Sequence, residues 1–179
     1  MRPSLSSAAL QDWNGDVLVV GLLKDDAGTS RGTLEQRFSG LGSALEQQDF
    51  KAKPGEQVVF NLLDPQGPKR LVVLGLGEPE AFTLTSLRSA AAKAAKASSG
   101  FTGSLGLQLP WDGFEPNAAA AAAAEAVRLA LYADQRFRKE PEPRRLPEAV
   151  ELIGLPSAAE AGLAGVNADC AGVELARQL

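Results

Sequence analysis

The sequence predicts an α/β protein with a mixed, mostly parallel sheet, and three observations carry this prediction. Two short runs, 16–23, which is apolar after Asp16, and 71–74 are typical of strands covered on both faces, and the second is too short for a buried helix. Segments with helical spacing follow both runs, and strands separated by helices favour parallel pairing. One connection, 64–68, consists of turn residues alone, which predicts an antiparallel hairpin.

The first elements are a lead-in, a strand and a helix. Residues 1–15 are polar and irregular, so we expect a loosely ordered lead-in that only Trp13 could pin to the body. The β-branched run 16–23 is the first core strand. Apolar residues then recur every three or four positions and predict a helix over 33–48. Gly40 and Gly42 lie within it, and because each glycine weakens a helix by about 1 kcal/mol relative to alanine, we expect them to mark a break or a close backbone approach.

The middle of the chain alternates strands and helices. After a strand at 56–63 and the hairpin, 69–97 reads as a strand, a glycine turn and a helix capped by Thr83 or Thr85. A strand follows at 104–109. A turn-rich loop then leads to an alanine-rich helix over 118–133 that Asn117 is expected to cap.

The last part contains a basic crossing, a strand and a final helix. Residues 134–147 combine three prolines with five basic residues and predict an exposed, extended crossing; these are Arg136, Arg138, Lys139, Arg144 and Arg145. A strand is expected at 150–155, and Ser157 with Glu160 forms a capping-box pattern. The final helix carries an apolar stripe to Leu179. Because the stripe stops in mid-pattern, we expect a continuation that this chain lacks.

Composition limits the function classes. With 179 residues, the chain has the size of one domain. Its formal charge of −4 argues against a general nucleic-acid surface. The lack of histidine removes the commonest general base and zinc ligand. A single cysteine, no leader-like segment and no apolar run of about 20 residues predict a cytoplasmic protein without a membrane segment.

Three features could form sites, and each has a simpler structural interpretation. The GLG triplet at 75–77 begins like a dinucleotide fingerprint, but the third glycine is missing, so a tight turn is favoured. The basic cluster could bind an anion or nucleic acid, although solvated charge on a crossing loop is commoner. Cys170 lies in an apolar stripe and is expected to be a packed thiol. The sequence therefore predicts no catalytic, cofactor-binding or metal-binding residue in this chain.

Four motifs in order resemble the N-terminal domain of the leucyl aminopeptidases, the cytosol aminopeptidase family, and most closely its plant and cyanobacterial type. They are KRLVVLGLG at 69–77, LYADQRFRK at 131–139, VELIGL at 150–155 and CAGVELARQL at 170–179. The resemblance implies a three-layer α/β/α, macro-domain-like fold over 16–156. Residues 157–179 would form a linker helix leading to a C-terminal catalytic domain that is absent here.

The resemblance also implies a function for the parent protein. Members of this family remove N-terminal amino acids from peptides as homohexamers, using two divalent metal ions, zinc or manganese, held by an NTDAEGRL motif. That motif does not occur here, so the fragment alone is expected to be inactive. Its expected role is in subunit assembly and active-site access. Two alternatives stay open: a stand-alone macro-like module that binds nucleotides or ADP-ribose, and DNA binding.

Overall fold

The computed structural model describes residues 2–24, 30–64, 66–132 and 145–176, and within these ranges it contains six strands and five α-helices. The strands are β1 (Ser4–Leu5), β2 (Val17–Leu23), β3 (Gln57–Asn61), β4 (Arg70–Gly77), β5 (Ser104–Gln108) and β6 (Ala149–Leu152). The helices are α1 (Ser30–Arg37), α2 (Leu41–Gln47), α3 (Leu84–Ala97), α4 (Pro116–Leu131) and α5 (Glu160–Ala176). Short 3₁₀ turns at Pro79–Ala81 and Ser157–Ala159 precede α3 and α5.

The strands form one sheet in the order β1-β6-β5-β2-β4-β3. Neighbouring strands run parallel except for β3, which pairs antiparallel with β4. The predicted mixed, mostly parallel sheet and its hairpin are therefore confirmed. Strand β2 lies in the interior of the sheet, between β4 and β5.

Helices cover both faces of the sheet. Successive side chains of β2 point to opposite faces, and both sets pack against helices. Val17 and Val19 point into a core formed with α3 and α4. Leu18, Val20 and Leu22 point into a second core formed with α1, α2 and Trp13. The continuous apolar run of β2 thus has the cause that the sequence predicts, because both faces of the strand are removed from water.

The segment before β2 is held to the sheet, which corrects the expectation of a loose lead-in. Its strand β1 pairs with β6, and the Trp13 side chain is only 3% exposed. The indole Nε1 of Trp13 donates a hydrogen bond to the Glu151 carboxylate at 3.1 Å. Arg37 of α1 donates to the carbonyls of Leu10 and Trp13. Burial lowers the pKa of the Arg37 guanidinium below its ordinary value.

The helix expected over 33–48 is two helices, and the break occurs at Gly40, one of the two glycines expected to mark it. Gly40 adopts a φ of 84°, a left-handed conformation that glycine tolerates and that separates α1 from α2. The Glu35 carboxylate accepts hydrogen bonds from the backbone N–H groups of Gly40 and Gly42, both at 2.7 Å. These bonds lower the pKa of Glu35.

Helix caps agree with the sequence in one case and differ in two. Thr83 caps α3 in a reciprocal arrangement with Ser86. Helix α4 is capped by Glu115, not by Asn117, and Pro116 occupies its first turn. The Glu115 carboxylate accepts from the backbone of Asn117, which lowers the pKa of Glu115. In place of the expected capping box before α5, the chain forms the 3₁₀ turn that starts at Ser157.

The apolar stripe of α5 is only partly covered. Val166 and Cys170 pack against Ala124 of α4, whereas Val173 is 38% exposed. The expected strand at 150–155 is shorter and ends at Leu152. Leu179 and the basic crossing up to residue 144 lie outside the described residues. No described helix is long and apolar enough to cross a membrane.

Candidate functional site at the carboxyl ends of β2 and β4

The glycine triplet at 75–77 packs against the chain's own backbone. A Cβ on Gly75 would lie 2.3 Å from the Lys53 carbonyl oxygen, and one on Gly77 would lie 2.6 Å from Pro54 Cγ. Gly77 has a φ of 85°, and its N–H donates to the Ala52 carbonyl at 2.8 Å. Segment 52–56 therefore fills the space beside the triplet, and residues 75–77 form the irregular end of strand β4, which corrects the tight turn that the sequence favoured.

Beside the glycine triplet, a cavity of about 630 Å³ opens at the carboxyl ends of β2 and β4. The two strands send their connections to opposite faces of the sheet, because β2 leads to α1 and β4 leads to α3. Diverging connections leave a crevice between neighbouring parallel strands, which is where open α/β sheets commonly bind ligands. The cavity is lined by the end of β2, by segment 50–54, by Arg31, and by the turn that contains Gly77, Glu78 and Ala81.

Among the residues that the structure describes, four cationic side chains and one carboxylate line this cavity. Lys24 Nζ lies 2.5 Å from the Glu78 carboxylate, and Lys51 Nζ lies 3.1 Å from Asp49, which is outside the cavity lining. Arg31 and Lys53 form no ion pair with any residue in the described ranges. The site therefore carries a local excess of positive charge in a chain whose formal charge is −4.

A second groove of about 600 Å³ lies between β4 and α3. Its walls include Leu76, Phe82 and Ala90, and Lys93 stands at its rim. The Lys93 ammonium donates to the Gly55 carbonyl at 2.5 Å, so this cation is engaged by the fold. On β3, the edge strand that pairs with β4, Val59 is 42% exposed.

Other polar groups that could carry chemistry are used by the fold. Asp16 accepts hydrogen bonds from Lys69 Nζ at 2.5 Å and from the Ser104 N–H at 2.9 Å, and these bonds lower its pKa. Cys170 is buried in the contact between α4 and α5, as the packed-thiol interpretation predicts. Within the part of the chain that the structure describes, no three His, Cys, Asp or Glu side chains are grouped to hold a metal ion.

The structure brings together residues that the sequence analysis did not single out. Of the features weighed there, the glycine triplet borders the cavity through Gly77. Cys170 lies with α5, and the basic cluster falls outside the described residues except for Arg145. The sequence positions of the lining lysines could have indicated this site, because Lys24 directly follows a core strand, and Lys51 and Lys53 precede the first strand of the hairpin.

Comparison with known proteins identifies relatives of the whole chain. A sequence model described as the cytosol aminopeptidase family, N-terminal domain, matches residues 19–141. A probable cytosol aminopeptidase of Parasynechococcus marenigrum (strain WH8102) is 71% identical over 179 residues, which are 100% of this chain and 36% of the relative. A protein of the same name from Synechococcus sp. (strain CC9605) is 63% identical with the same coverage. The chain therefore spans about a third of the length of these relatives.

Solved structures agree with the sequence relatives. A mutant of tomato leucine aminopeptidase superimposes with a TM-score of 0.81 at 26% identity, covering 99% of this chain and 37% of the tomato chain. The bottromycin maturation enzyme BotP shares the fold, with a TM-score of 0.67 at 24% identity over 92% of this chain and 32% of that one. Each match lies on a minor part of a longer chain.

Proposed function

The chain belongs to the cytosol aminopeptidase family, as its N-terminal domain, and from this premise we propose that it is the non-catalytic N-terminal part of a metal-dependent leucyl aminopeptidase. The parent protein would remove N-terminal amino acids from peptides in the cytoplasm. One observation carries the proposal: a relative named as a probable cytosol aminopeptidase is 71% identical along the full length of this chain. The relatives give no support to a stand-alone ADP-ribose-binding module.

We place the domain at 16–156 together with the preceding segment that β1 joins to the sheet, and we treat 157–179 as a linker helix to a catalytic domain. The two divalent ions, zinc or manganese, would be bound by that catalytic domain. Donor chemistry supports this division, because carboxylates such as Asp16, Glu35 and Glu115 are engaged in holding strands and helix starts. The described residues of this chain do not fit a metal site, and no catalytic step is assigned to them.

The proposed role of the domain is in assembly, as part of a homohexamer, and in access to the active site. Apolar side chains that the described residues leave uncovered support such contacts. Leu63 is 99% exposed just after the edge strand β3, and Leu175 is 60% exposed on α5. Leu63 follows the β3 edge of the sheet and Leu175 lies on α5, so the proposed contacts would involve these two separate regions.

An activity comparison tests the division of labour. The full-length protein and the chain 1–179 are each assayed with a chromogenic leucine amide, with added Mn²⁺ or Zn²⁺ and with a chelator. We expect turnover by the full-length protein that the chelator abolishes, and none by 1–179. An inactive full-length protein would contradict the aminopeptidase assignment, whereas turnover by 1–179 would contradict its non-catalytic role.

A further inference from the structure

We propose that the cavity at the carboxyl ends of β2 and β4 binds a small organic anion, whose carboxylate or phosphate group is held by Arg31 and Lys53 and whose apolar body lies against Phe50 and Pro54. This inference does not depend on the parent's peptidase activity. It assigns to the domain a ligand site of its own, and it follows from the size, the charge and the lining of the cavity.

The size of the cavity suits a small molecule. Its volume of about 630 Å³ falls within the range of roughly 300–1,000 Å³ typical of ligand pockets. Four separate stretches of chain form its walls, and two of them are the ends of adjacent parallel strands. The hydrogen bonds that fix Gly75 and Gly77 to segment 52–56 also fix one wall, so that wall is preformed.

The charge of the cavity selects an anion. Lys24 already forms an ion pair with Glu78, so a ligand would not need to neutralise the charge of Lys24. Arg31 and Lys53 have no ionic partner among the described residues. A guanidinium can hold a carboxylate or phosphate through two parallel hydrogen bonds, and an ammonium adds a point charge. Two cations without counter-charges can therefore accept one mono- or dianionic group.

The apolar lining requires an organic body beyond the charged group. Phe50 is 7% exposed and Ala52 is 8% exposed, so only limited ring and methyl surfaces face the cavity, together with the ring of Pro54. An inorganic ion would leave this surface in contact with water, whereas an attached hydrocarbon would cover it. A long polyanion fits poorly because the chain as a whole is acidic.

A nuclear magnetic resonance titration of the chain 1–179 tests the proposal with defined probes. Phenyl phosphate and phenylacetate represent the two anionic groups, inorganic phosphate tests the need for an apolar body, and benzyl alcohol tests the need for charge. We expect saturable shifts for at least one organic anion, centred on backbone amides of 22–24, 50–53 and 77–81. If only one of the two organic anions binds, its charged group, phosphate or carboxylate, is the one that the site accepts. If both bind, the site accepts either group.

Substitutions locate the charge. We expect Arg31→Met with Lys53→Met to weaken binding roughly tenfold or more, because two charge-assisted contacts are lost. Lys96→Met, an exposed cation outside this cavity, should leave affinity unchanged. All three side chains are exposed, so circular dichroism should show an intact fold. The proposal is overturned if neither organic anion saturates, if benzyl alcohol or inorganic phosphate binds equally well, if the shifts centre elsewhere, or if the double variant binds like the parent.

Discussion

At the scale of single residues, the glycine triplet at 75–77 shows how the start of a dinucleotide fingerprint can have a purely structural cause. The sequence places two glycines where a nucleotide-binding loop would begin. In the structure, their lack of side chains lets segment 52–56 approach β4 closely enough to hydrogen-bond with it. A close approach of one backbone segment to another requires glycine, and so does a close approach of backbone to phosphate. The sequence could therefore favour one of these two causes without excluding the other.

A glycine pair tests this explanation. Gly75→Ala should lower the free energy of unfolding by about 2 kcal/mol or more, because the new methyl group would meet a carbonyl oxygen that cannot move without breaking the edge of the sheet. Gly32→Ala in α1 is the matched control. Nothing lies within 4 Å of its Cβ position, so we expect unchanged or slightly raised stability. Urea unfolding of both variants provides the measurement; equal stability of the two would contradict the close-approach account.

Asp16 gives a residue-scale prediction about pH. The hydrogen bonds from Lys69 and Ser104 lower its pKa in the folded state below the ordinary value of 3.8. Its stabilisation is therefore complete above pH 3.8 and is lost as the pH falls through the lower folded value. We expect Asp16→Asn to be less stable than the parent at pH 7 and the difference to shrink below pH 3.8, measured by urea unfolding across that range.

Asp49→Asn is the control for this pH experiment. The Asp49 carboxylate is 82% exposed and pairs with an exposed lysine, an arrangement that contributes little to stability. We expect its difference from the parent to stay small at every pH. A constant deficit for Asp16→Asn down to pH 2 would show that the lost stability has another origin than the ionised carboxylate.

At the scale of elements, sequence reasoning succeeded where periodicity was long and failed where an element was short. Strand β2 and helix α3 were predicted close to their observed bounds, because burial imposes a clear pattern on them, whereas β4 extends through residues 75–77, which were predicted as a turn. Strand β1 has two residues and leaves no pattern. Helix α4 begins with a proline after Glu115, a residue type that the usual preference for Ser, Thr, Asp and Asn caps does not predict.

The lead-in depends on one anchoring side chain. Trp13 fills the space beside Gly106 and reaches Glu151 next to β1. Trp13→Ala should cost about 3–5 kcal/mol of unfolding free energy, as large aromatic truncations in cores do. Trp13→Phe keeps much of the ring and loses the hydrogen bond, so a smaller loss is expected. Hydrogen exchange at Ser6, whose N–H bonds to the Leu152 carbonyl, should accelerate in the alanine variant; unchanged exchange would contradict the anchoring role.

At the scale of the whole molecule, the sequence contained enough to identify the fold and the family but not the cavity. Strand order follows from a few long-range pairings, and four local motifs sufficed to indicate the family. The cavity brings Lys24, Arg31 and Lys53 into one lining, although Lys24 follows β2, Arg31 lies in α1, and Lys53 lies between α2 and β3. Such convergence has no local pattern, so sequence inspection could list these cations without connecting them.

The most direct test of the central claim is removal of residues 1–160 from the full-length protein, followed by sedimentation and peptidase kinetics. Bound metal is measured in parallel to show that the catalytic part is folded. A domain that supports assembly and active-site access predicts a metal-loaded variant with a smaller assembled mass and an altered kcat/KM. A variant that keeps both its assembly and its kinetics would contradict the account.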